Sequence, residues 1–217
     1  MHKPPDPDVD PVLLNQQSYD AIAGQWRQVR TTIGAIEQRY LEALVADMAG
    51  GDAVLDLGCG TGQPMAAWLI NQGFQVTGMD QSANMITLAQ AAHPHARWLL
   101  RSLPEFGLVE QFSAILLWDV LFHMPRNDHR TLLLRCRECL LRGGRLMLTS
   151  GGSADSAFTD TMYEHRFFYD SLAPPILQSL LEEIGFDTEL MGVINPPTSG
   201  RDKGRIAIVA RTTTTGI

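Results

Sequence analysis

The chain has 217 residues, of which 45% are hydrophobic and 19% are charged, and its formal net charge is −7 at pH 7. This length suits one α/β domain with a full core. The negative charge argues against nucleic acid or an anionic membrane as the partner, because both require clustered Lys and Arg. Apolar runs stay short of the roughly 20 residues that span a bilayer. A small-molecule ligand is therefore expected.

The cysteines and histidines predict neither disulfides nor a metal centre. Cys59, Cys136 and Cys139 give no disulfide framework, and residues 1–8 lack a hydrophobic leader, so we expect a reduced, cytoplasmic protein. The Cys136-x-x-Cys139 spacing falls inside an amphipathic helix without a second pair, which favours buried thiols over zinc. His93 and His95 alone do not make a metal site, so no metal is predicted.

The first half of the chain predicts helices followed by an alternation of strands and helices. Residues 1–17, which begin with a segment rich in Pro and Asp, are expected to be disordered. Two helices follow between residues 18 and 48, with a break near Gly34. Predicted strands are Ala53–Leu57, Phe74–Met79, Ala96–Leu100, Phe112–Trp118 and Arg145–Thr149, and predicted helices are Pro64–Asn71, Ala83–Ala91 and Asp128–Leu141. This alternation indicates a doubly wound, mostly parallel sheet.

The C-terminal part changes character, because its last two predicted strands have no helix between them. Phe186–Ile194 and Arg205–Ala210 should therefore pair antiparallel. Arg201, Lys203 and Arg205 are expected in a solvated loop. Residues 212–217 are expected to be a frayed tail, which leaves residues 18–211 as a single domain.

The most informative stretch is residues 54–64, which combines an apolar run with alternating glycines. Gly58, Gly60 and Gly62 follow the predicted strand and precede a helix. Glycine tolerates positive φ and lets a ligand approach bare backbone, so this loop predicts a nucleotide-like ligand. Asp80 ends the next strand, where its carboxylate can accept hydrogen bonds from two ribose hydroxyls. Alternatively, Asp80 caps the helix from Ala83, although Ser82 is the better cap.

The string Val-Leu-Asp-Leu-Gly-Cys-Gly-Thr-Gly resembles the first motif of the class I S-adenosylmethionine (SAM)-dependent methyltransferases. Its third glycine comes one residue earlier than in the dinucleotide fingerprint. The resemblance implies a Rossmann-like sheet of seven strands, mostly parallel, with a C-terminal antiparallel hairpin and N-terminal covering helices. It also implies that the motif holds the amino acid and ribose parts of SAM, through Asp56, Gly58, Cys59, Gly60 and Gly62.

The resemblance extends to further cofactor contacts along the chain. Residues 80–86 resemble the family's Asp-x-Ser-x-x-Met-Ile segment. Gln81 and Met85 are candidates for lining the adenine, and for Met85 a position in the hydrophobic core is an equally good alternative. Relatives carry an Asp near the third strand, where this chain has Ser102, followed by Leu103. A serine hydroxyl can accept a hydrogen bond but carries no charge. The resemblance further implies that Tyr19, Trp26 and Arg30 cover SAM and that Trp118 forms a pocket wall.

The residues for chemistry and acceptor binding are predicted in two segments. Asp119 and His123 lie four residues apart after the fourth strand, and the unperturbed pKa of a histidine suits a general base near neutral pH. Alternatively, His123 bonds the loop backbone and Asp119 caps a helix. An aromatic segment supplies Tyr163, His165, Arg166 and Tyr169, which either form an acceptor pocket or anchor the loop.

The resemblance implies transfer of a methyl group from SAM to a small molecule, most simply at an oxygen or nitrogen atom. Two alternatives remain open at this point. One is a SAM-binding module without catalysis, and the other is an NAD-dependent oxidoreductase, against which the glycine spacing and terminal hairpin argue. A monomer or a homodimer would fit.

Overall fold

A computed structural model of the chain describes residues 3–107, 109–153, 156–196 and 204–213. Its helices are α1 (Pro11–Val29), α2 (Ala35–Leu44), α3 (Met65–Asn71), α4 (Ala83–Ala92), α5 (Arg126–Cys139) and α6 (Pro174–Glu183). Its strands are β1 (Ala53–Leu57), β2 (Gln75–Asp80), β3 (Arg97–Leu100), β4 (Phe112–Leu117), β5 (Leu140–Gly151), β6 (Phe158–Met162), β7 (His165–Tyr169), β8 (Phe186–Asn195) and β9 (Arg205–Thr212). Short 3₁₀ turns occupy Leu103–Glu105 and Leu121–His123.

The main sheet has seven strands in the order β3-β2-β1-β4-β5-β9-β8. Strands β1 to β5 pair in parallel, whereas β9 pairs antiparallel with both β5 and β8. This arrangement confirms the predicted fold class and the closing hairpin. Strand order reverses between β1 and β4, and ligands of open α/β sheets bind at the carboxyl ends of strands beside such a reversal.

A hydrophobic core covers each face of the sheet. On one face, Leu55 and Ile115 pack in a cluster with Leu133 of α5. On the other face, Val54 and Leu69 of α3 belong to a second cluster. Alternate residues of β1 therefore enter opposite cores, as expected for a central strand that is buried on both faces.

Helix α1 begins at Pro11, seven residues before the predicted start, so the structure corrects the expected disorder for residues 11–17. The carboxylate of Asp10 accepts a hydrogen bond from the Val12 N–H at 2.9 Å, and Pro11 occupies the first helical position. This Asp-Pro pair is a helix-start signal that the Pro-rich composition obscured. Further upstream, Lys3 forms an antiparallel bridge with Thr159.

A second, two-stranded sheet was not predicted. Strands β6 and β7 form an antiparallel hairpin between β5 and α6, and α1 lies against β7. The side chain of Asn15 is 1% exposed and exchanges hydrogen bonds with the Phe168 backbone, accepting from its N–H at 2.8 Å and donating to its carbonyl at 3.2 Å. The Ser18 hydroxyl donates to the Arg166 carbonyl. These polar contacts hold α1 against strand β7 of the two-stranded sheet.

The C-terminal strand β9 begins at the predicted residue, Arg205, and extends beyond the predicted end, Ala210, to Thr212. Arg205 is the first residue of β9 and not part of a solvated loop, and Thr212 is buried and pairs with Phe186. Arg201, Lys203 and residues 214–217 lie outside the described residues.

Among the described residues, every helix is too short or too polar to cross a membrane.

Candidate functional site

One cavity lies at the carboxyl ends of β1, β2 and β4 and is covered by α1. It brings together fourteen of the residues predicted from the sequence: Tyr19, Trp26, Arg30, Asp56, Gly58, Cys59, Gly60, Asp80, Gln81, Met85, Leu103, Trp118, Asp119 and His123. The cavity therefore collects residues from positions 19 to 123 at the edge of the sheet where the topology favours a ligand.

The glycine loop is held against the end of β2 by backbone hydrogen bonds. The N–H groups of Gly58 and Cys59 both donate to the Met79 carbonyl, at 2.7 and 3.1 Å. Gly58 has a φ of +72°, and a Cβ added there would lie 2.4 Å from a methyl group of Val120. Only glycine fits this position, because a side chain would face both backbone strain and a collision. Gly62 does not line the cavity, and a Cβ added there would lie 2.8 Å from the ring of Trp98.

Asp80 joins the end of β2 to the glycine loop. Its Oδ2 accepts from the Gly60 N–H at 2.9 Å, and its Oδ1 accepts from the Ser82 N–H at 2.8 Å. Ser82 is the cap of α4, since its hydroxyl accepts from the Met85 N–H at 3.1 Å. Burial raises the pKa of Asp80, and these backbone donors oppose that rise. Each carboxylate oxygen keeps a lone pair for a ligand hydroxyl.

Asp56 is a buried carboxyl group that faces the cavity. Asp56 is 3% exposed, and its side-chain carboxyl oxygens accept no hydrogen bond from the described part of the chain. Burial, reinforced by the nearby charge of Asp80, raises the pKa of Asp56 to about 7. A buried carboxyl without a donor is unfavourable unless a ligand supplies one. This position therefore suits a cationic or hydrogen-bond-donating ligand group.

Helix α1 brings a cation and two aromatic rings to the cavity. Arg30 lies at the C-terminal cap of α1, and its guanidinium pairs with Glu37 at 2.8 Å. The rings of Tyr19 and Trp26 meet edge to face, with their centroids 5.9 Å apart. The cavity thus has a positive group near one boundary and two carboxylates, Asp56 and Asp80, at its floor.

The region after β3 differs from the predicted arrangement. Leu103 lines the cavity, but Ser102 does not, and Arg101 lines it instead. The guanidinium of Arg101 donates to the Gly107 carbonyl at 3.1 Å. Arg101 could have been predicted from the sequence, because it is a charged residue at the end of a predicted strand, as Asp80 is. The other lining residues that sequence reasoning missed are Val12, Gln63, Met65, Met79, Pro104, Val120 and Met124.

His123 bonds the backbone of a neighbouring loop, as one of its two predicted alternatives has it, and it also reaches the cavity. Its Nδ1 lies 2.9 Å from the Phe168 carbonyl oxygen, and its Nε2 lies 2.8 Å from the Tyr19 hydroxyl. The residue also lines the cavity. Burial lowers the pKa of His123 to about 4, although the Phe168 carbonyl and the charge of Asp119 oppose this change. The imidazole is therefore neutral near pH 7.

Asp119 is held in an unusual conformation beside His123. Its φ is +58°, and its N–H donates to the Thr149 hydroxyl oxygen at 2.7 Å. The Thr149 hydroxyl donates back to Asp119 Oδ1 at 3.2 Å, and Arg205 pairs with the same oxygen at 2.5 Å. Asp119 is thus a fixed, paired carboxylate at the cavity wall and does not cap a helix.

The predicted acceptor residues from the aromatic segment lie apart from the cavity. Tyr163 is at the β6–β7 turn with a φ of +49° and is 41% exposed, and His165 and Arg166 are also exposed. None of these three lines the cavity. Only the far end of β7 approaches it, where the Tyr169 ring packs on His123 with centroids 4.9 Å apart.

Comparison with known sequences finds a family match over part of the chain, including the glycine loop and Asp80. Residues 54–144 match the family described as "Methyltransferase domain". A protein of Geobacillus sp. (strain WCH70), provisionally described as a methyltransferase, is 52% identical over 159 residues, which cover 70% of this chain. The chain spans 59% of the length of that relative.

Solved structures share the fold at lower sequence identity. The magnesium protoporphyrin IX methyltransferase of Synechocystis PCC 6803, with bound SAM, has a TM-score of 0.71 and 19% identity, covering 96% of this chain and 100% of its own. The 1,6-didemethyltoxoflavin-N1-methyltransferase of Burkholderia thailandensis, with bound S-adenosylhomocysteine, has a TM-score of 0.72 and 23% identity, covering 98% and 95%. The [4+2]-cyclase SpnF also matches, with a TM-score of 0.69 and 16% identity over 92% and 96%.

The family match over residues 54–144 and the strand order shared with these solved structures agree with the resemblance of the sequence to the class I SAM-dependent methyltransferases. Because the fold is also that of a cyclase, the fold alone does not define the reaction.

Proposed function

We propose that this chain transfers the methyl group of SAM to an oxygen or nitrogen atom of a small-molecule acceptor. The observation that carries the proposal is the joining of the glycine loop, Asp80, Asp56 and Arg30 in one cavity. These groups complement three parts of SAM. Asp80 suits the ribose hydroxyls, Asp56 suits the ammonium group and Arg30 suits the carboxylate. Relatives with this fold were crystallised with SAM or its product.

Apolar residues supply the remaining cofactor surface. Met85 and Leu103 offer an apolar wall for the adenine, and Trp118, which is 7% exposed, encloses the cavity beside the loop that follows β4. SAM carries an already activated methyl group, so the chain needs to hold donor and acceptor in line and to exclude water. The cover provided by α1 serves that exclusion.

Calorimetry tests the cofactor assignment directly. We expect SAM to bind the full chain and NAD to give no heat of binding. Asp80→Ala should weaken SAM binding by about tenfold or more, because a charged hydrogen-bond acceptor is lost. Asp187→Ala is the matched control, since Asp187 is exposed on β8. Unchanged SAM affinity in Asp80→Ala would contradict the ribose assignment, and NAD binding would favour the oxidoreductase.

Isotope transfer separates an enzyme from a binding module. Labelled SAM is incubated with the chain and a broad metabolite extract, and methylated products are identified by mass spectrometry. Label in a small molecule supports the proposal. Tight SAM binding without label in any acceptor would indicate a SAM-binding module.

The proposal includes a cytoplasmic location, a small-molecule partner in place of nucleic acid, and a monomer or homodimer. It is supported by the net charge of −7 and by three free cysteines, all buried. Sedimentation would determine the oligomeric state.

A further inference from the structure

Three groups that face or border the cavity form a chain of hydrogen bonds with a defined direction. The Phe168 carbonyl oxygen can only accept, so the hydrogen on His123 must be on Nδ1, 2.9 Å away. The pKa of His123, about 4, means that the ring holds a single hydrogen near pH 7. Its Nε2 is then an acceptor, and the Tyr19 hydroxyl must donate to it across 2.8 Å.

This direction fixes what Tyr19 can offer to a ligand. Its only hydroxyl hydrogen is committed to His123, so its oxygen presents lone pairs to the cavity that it lines. Burial raises the pKa of Tyr19 well above its usual value, and the charges of Tyr169, Asp119 and Asp80 add to this effect. Tyr19 therefore stays protonated at rest. Because its own hydrogen is committed to His123, Tyr19 can form a hydrogen bond only with a ligand group that donates one.

We propose that Tyr19 accepts a hydrogen bond from the O–H or N–H group of the methyl acceptor and relays a proton to His123 during transfer. The proposal rests on the proposed function and narrows its substrate class. The acceptor must carry a removable hydrogen on the reacting atom, such as a hydroxyl or a primary or secondary amine. Tertiary amines and thioethers lack that hydrogen and are excluded.

The atoms and charges balance in this step. A bond forms between the acceptor atom and the methyl carbon, and the bond between that carbon and the sulfonium sulfur breaks, with its electron pair remaining on sulfur. The acceptor proton moves to the Tyr19 oxygen, while the Tyr19 proton moves to Nε2 of His123. The products are the methylated acceptor, S-adenosylhomocysteine and an imidazolium whose Nδ1–H stays on the Phe168 carbonyl.

Electrostatic interactions couple the methyl transfer to the proton transfer. A bound sulfonium cation disfavours a second cation in the same cavity, so His123 stays neutral before transfer. Transfer removes the sulfonium charge as the imidazolium forms, and the net charge of the cavity is unchanged. The carboxylate of Asp119 favours the imidazolium, and its pairing with Arg205 and Thr149 holds it in position.

The first test requires no methyl transfer. Long-range ¹H–¹⁵N NMR spectra of the full chain with S-adenosylhomocysteine report which ring nitrogen carries hydrogen. His123→Asn assigns the signal, and His95→Asn is the control at an exposed histidine. We expect the Nδ1–H form at pH 7. Phenol should shift the Nε2 signal and anisole should not, and Tyr19→Phe should abolish the difference. An Nε2–H form, or equal responses to both probes, would overturn the relay.

The second test measures transfer from labelled SAM to phenol and benzylamine, with N,N-dimethylbenzylamine and methyl phenyl sulfide as matched acceptors without a removable hydrogen. We expect label in the first pair only. Tyr19→Phe should lower the rate by about 100-fold while SAM affinity stays within about twofold. Gln17→Ala, a change on the exposed face of the helix that carries Tyr19, should leave both unchanged.

The outcomes separate this relay from the proposed function. Loss of SAM affinity in parallel with activity in Tyr19→Phe would make Tyr19 a cofactor residue and overturn the relay alone. Comparable labelling of the matched acceptors would do the same. Failure of SAM to bind, or binding without label in any acceptor, counts against the proposed function, and the NMR test still decides the direction of the hydrogen bonds.

Discussion

The two sides of the cavity are built in different ways. On the side that we propose for SAM, called the donor side, the glycine loop is fixed by backbone hydrogen bonds from Gly58 and Cys59 to the neighbouring strand. On the side that we propose for the methyl acceptor, called the acceptor side, side chains connect distant segments, as Asn15 does with Phe168. The donor side is therefore part of the sheet itself. The acceptor side is an added layer, so its chemistry can change while the sheet stays intact.

The sharpest way to break the donor side is Gly58→Ala. The new Cβ would sit at a positive φ and 2.4 Å from Val120, so both strain and overpacking oppose it. We expect a loss of about 2–4 kcal/mol in the free energy of unfolding, measured with urea, and weaker SAM binding. Gly50→Ala meets no atom within 4 Å and should change stability by less than about 0.5 kcal/mol. Equal effects of the two variants would contradict the steric argument.

On the acceptor side, the corresponding change is Asn15→Ala. It removes hydrogen bonds to Phe168 and to the His123 carbonyl, at 2.9 Å, and leaves buried groups without partners. We expect a loss of about 2–3 kcal/mol in the free energy of unfolding. Gln17→Ala alters the exposed face of the same helix and serves as the control. A similar, small effect of both changes would show that α1 is not held by Asn15.

Asp56→Asn separates stability from binding on the donor side. The variant should raise the free energy of unfolding and at the same time lower the affinity for SAM. The raised pKa of Asp56 means that the folded state binds a proton more tightly than the unfolded state. The wild type therefore loses stability as the pH rises from about 4 to about 7. We expect the variant to gain about 1–2 kcal/mol over the wild type at pH 8, and nothing at pH 3.5.

The readout is urea denaturation of both proteins from pH 3.5 to 8, with Asp187→Asn as an exposed control. SAM affinity of Asp56→Asn should fall by about tenfold at pH 8, because the ammonium group loses its charged partner. A gain in stability that does not depend on pH would contradict the raised pKa.

The smallest effect is expected for Gly24→Ala on the outer face of α1. A Cβ at this exposed helical glycine meets nothing within 4 Å. Removing the entropic cost of glycine should stabilise the fold by about 0.5–1 kcal/mol, measured by thermal unfolding. Destabilisation would indicate that this face of α1 is in contact with another surface.

The difference between the two sides of the cavity also explains which site residues could be predicted from the sequence. The donor side follows from local signals, since the loop of residues 58–62 and Asp80 are read directly from a strand, a turn and the next strand end. The acceptor side depends on tertiary contacts that no local pattern encodes. The hydrogen bond between Tyr19 and His123 joins residues 104 positions apart, and the pairing of Arg205 with Asp119 spans 86.

The aromatic segment shows why composition alone does not tell which of the predicted acceptor residues reach the cavity. Tyr163 and Tyr169 have similar chemistry, yet they lie at opposite ends of one hairpin, Tyr163 at its turn and Tyr169 at the far end of β7. Positive φ angles at Tyr163 and Glu164 form the turn, which carries Tyr163 into solvent, while pairing across the hairpin leaves Tyr169 beside His123. A residue list gives no information on which end of a hairpin faces a cavity.

The attachment of α1 also has a consequence for the order of folding. Asn15 reaches Phe168 across 153 residues, and Asp20 accepts from the Asn84 N–H across 64. Contacts so distant in sequence carry a large loop-closure entropy, so they form after the sheet has brought their partners together. We expect disruption of these contacts to accelerate unfolding while leaving the folding rate nearly unchanged. The molecule would then complete its donor-binding edge first and add its acceptor-binding layer last.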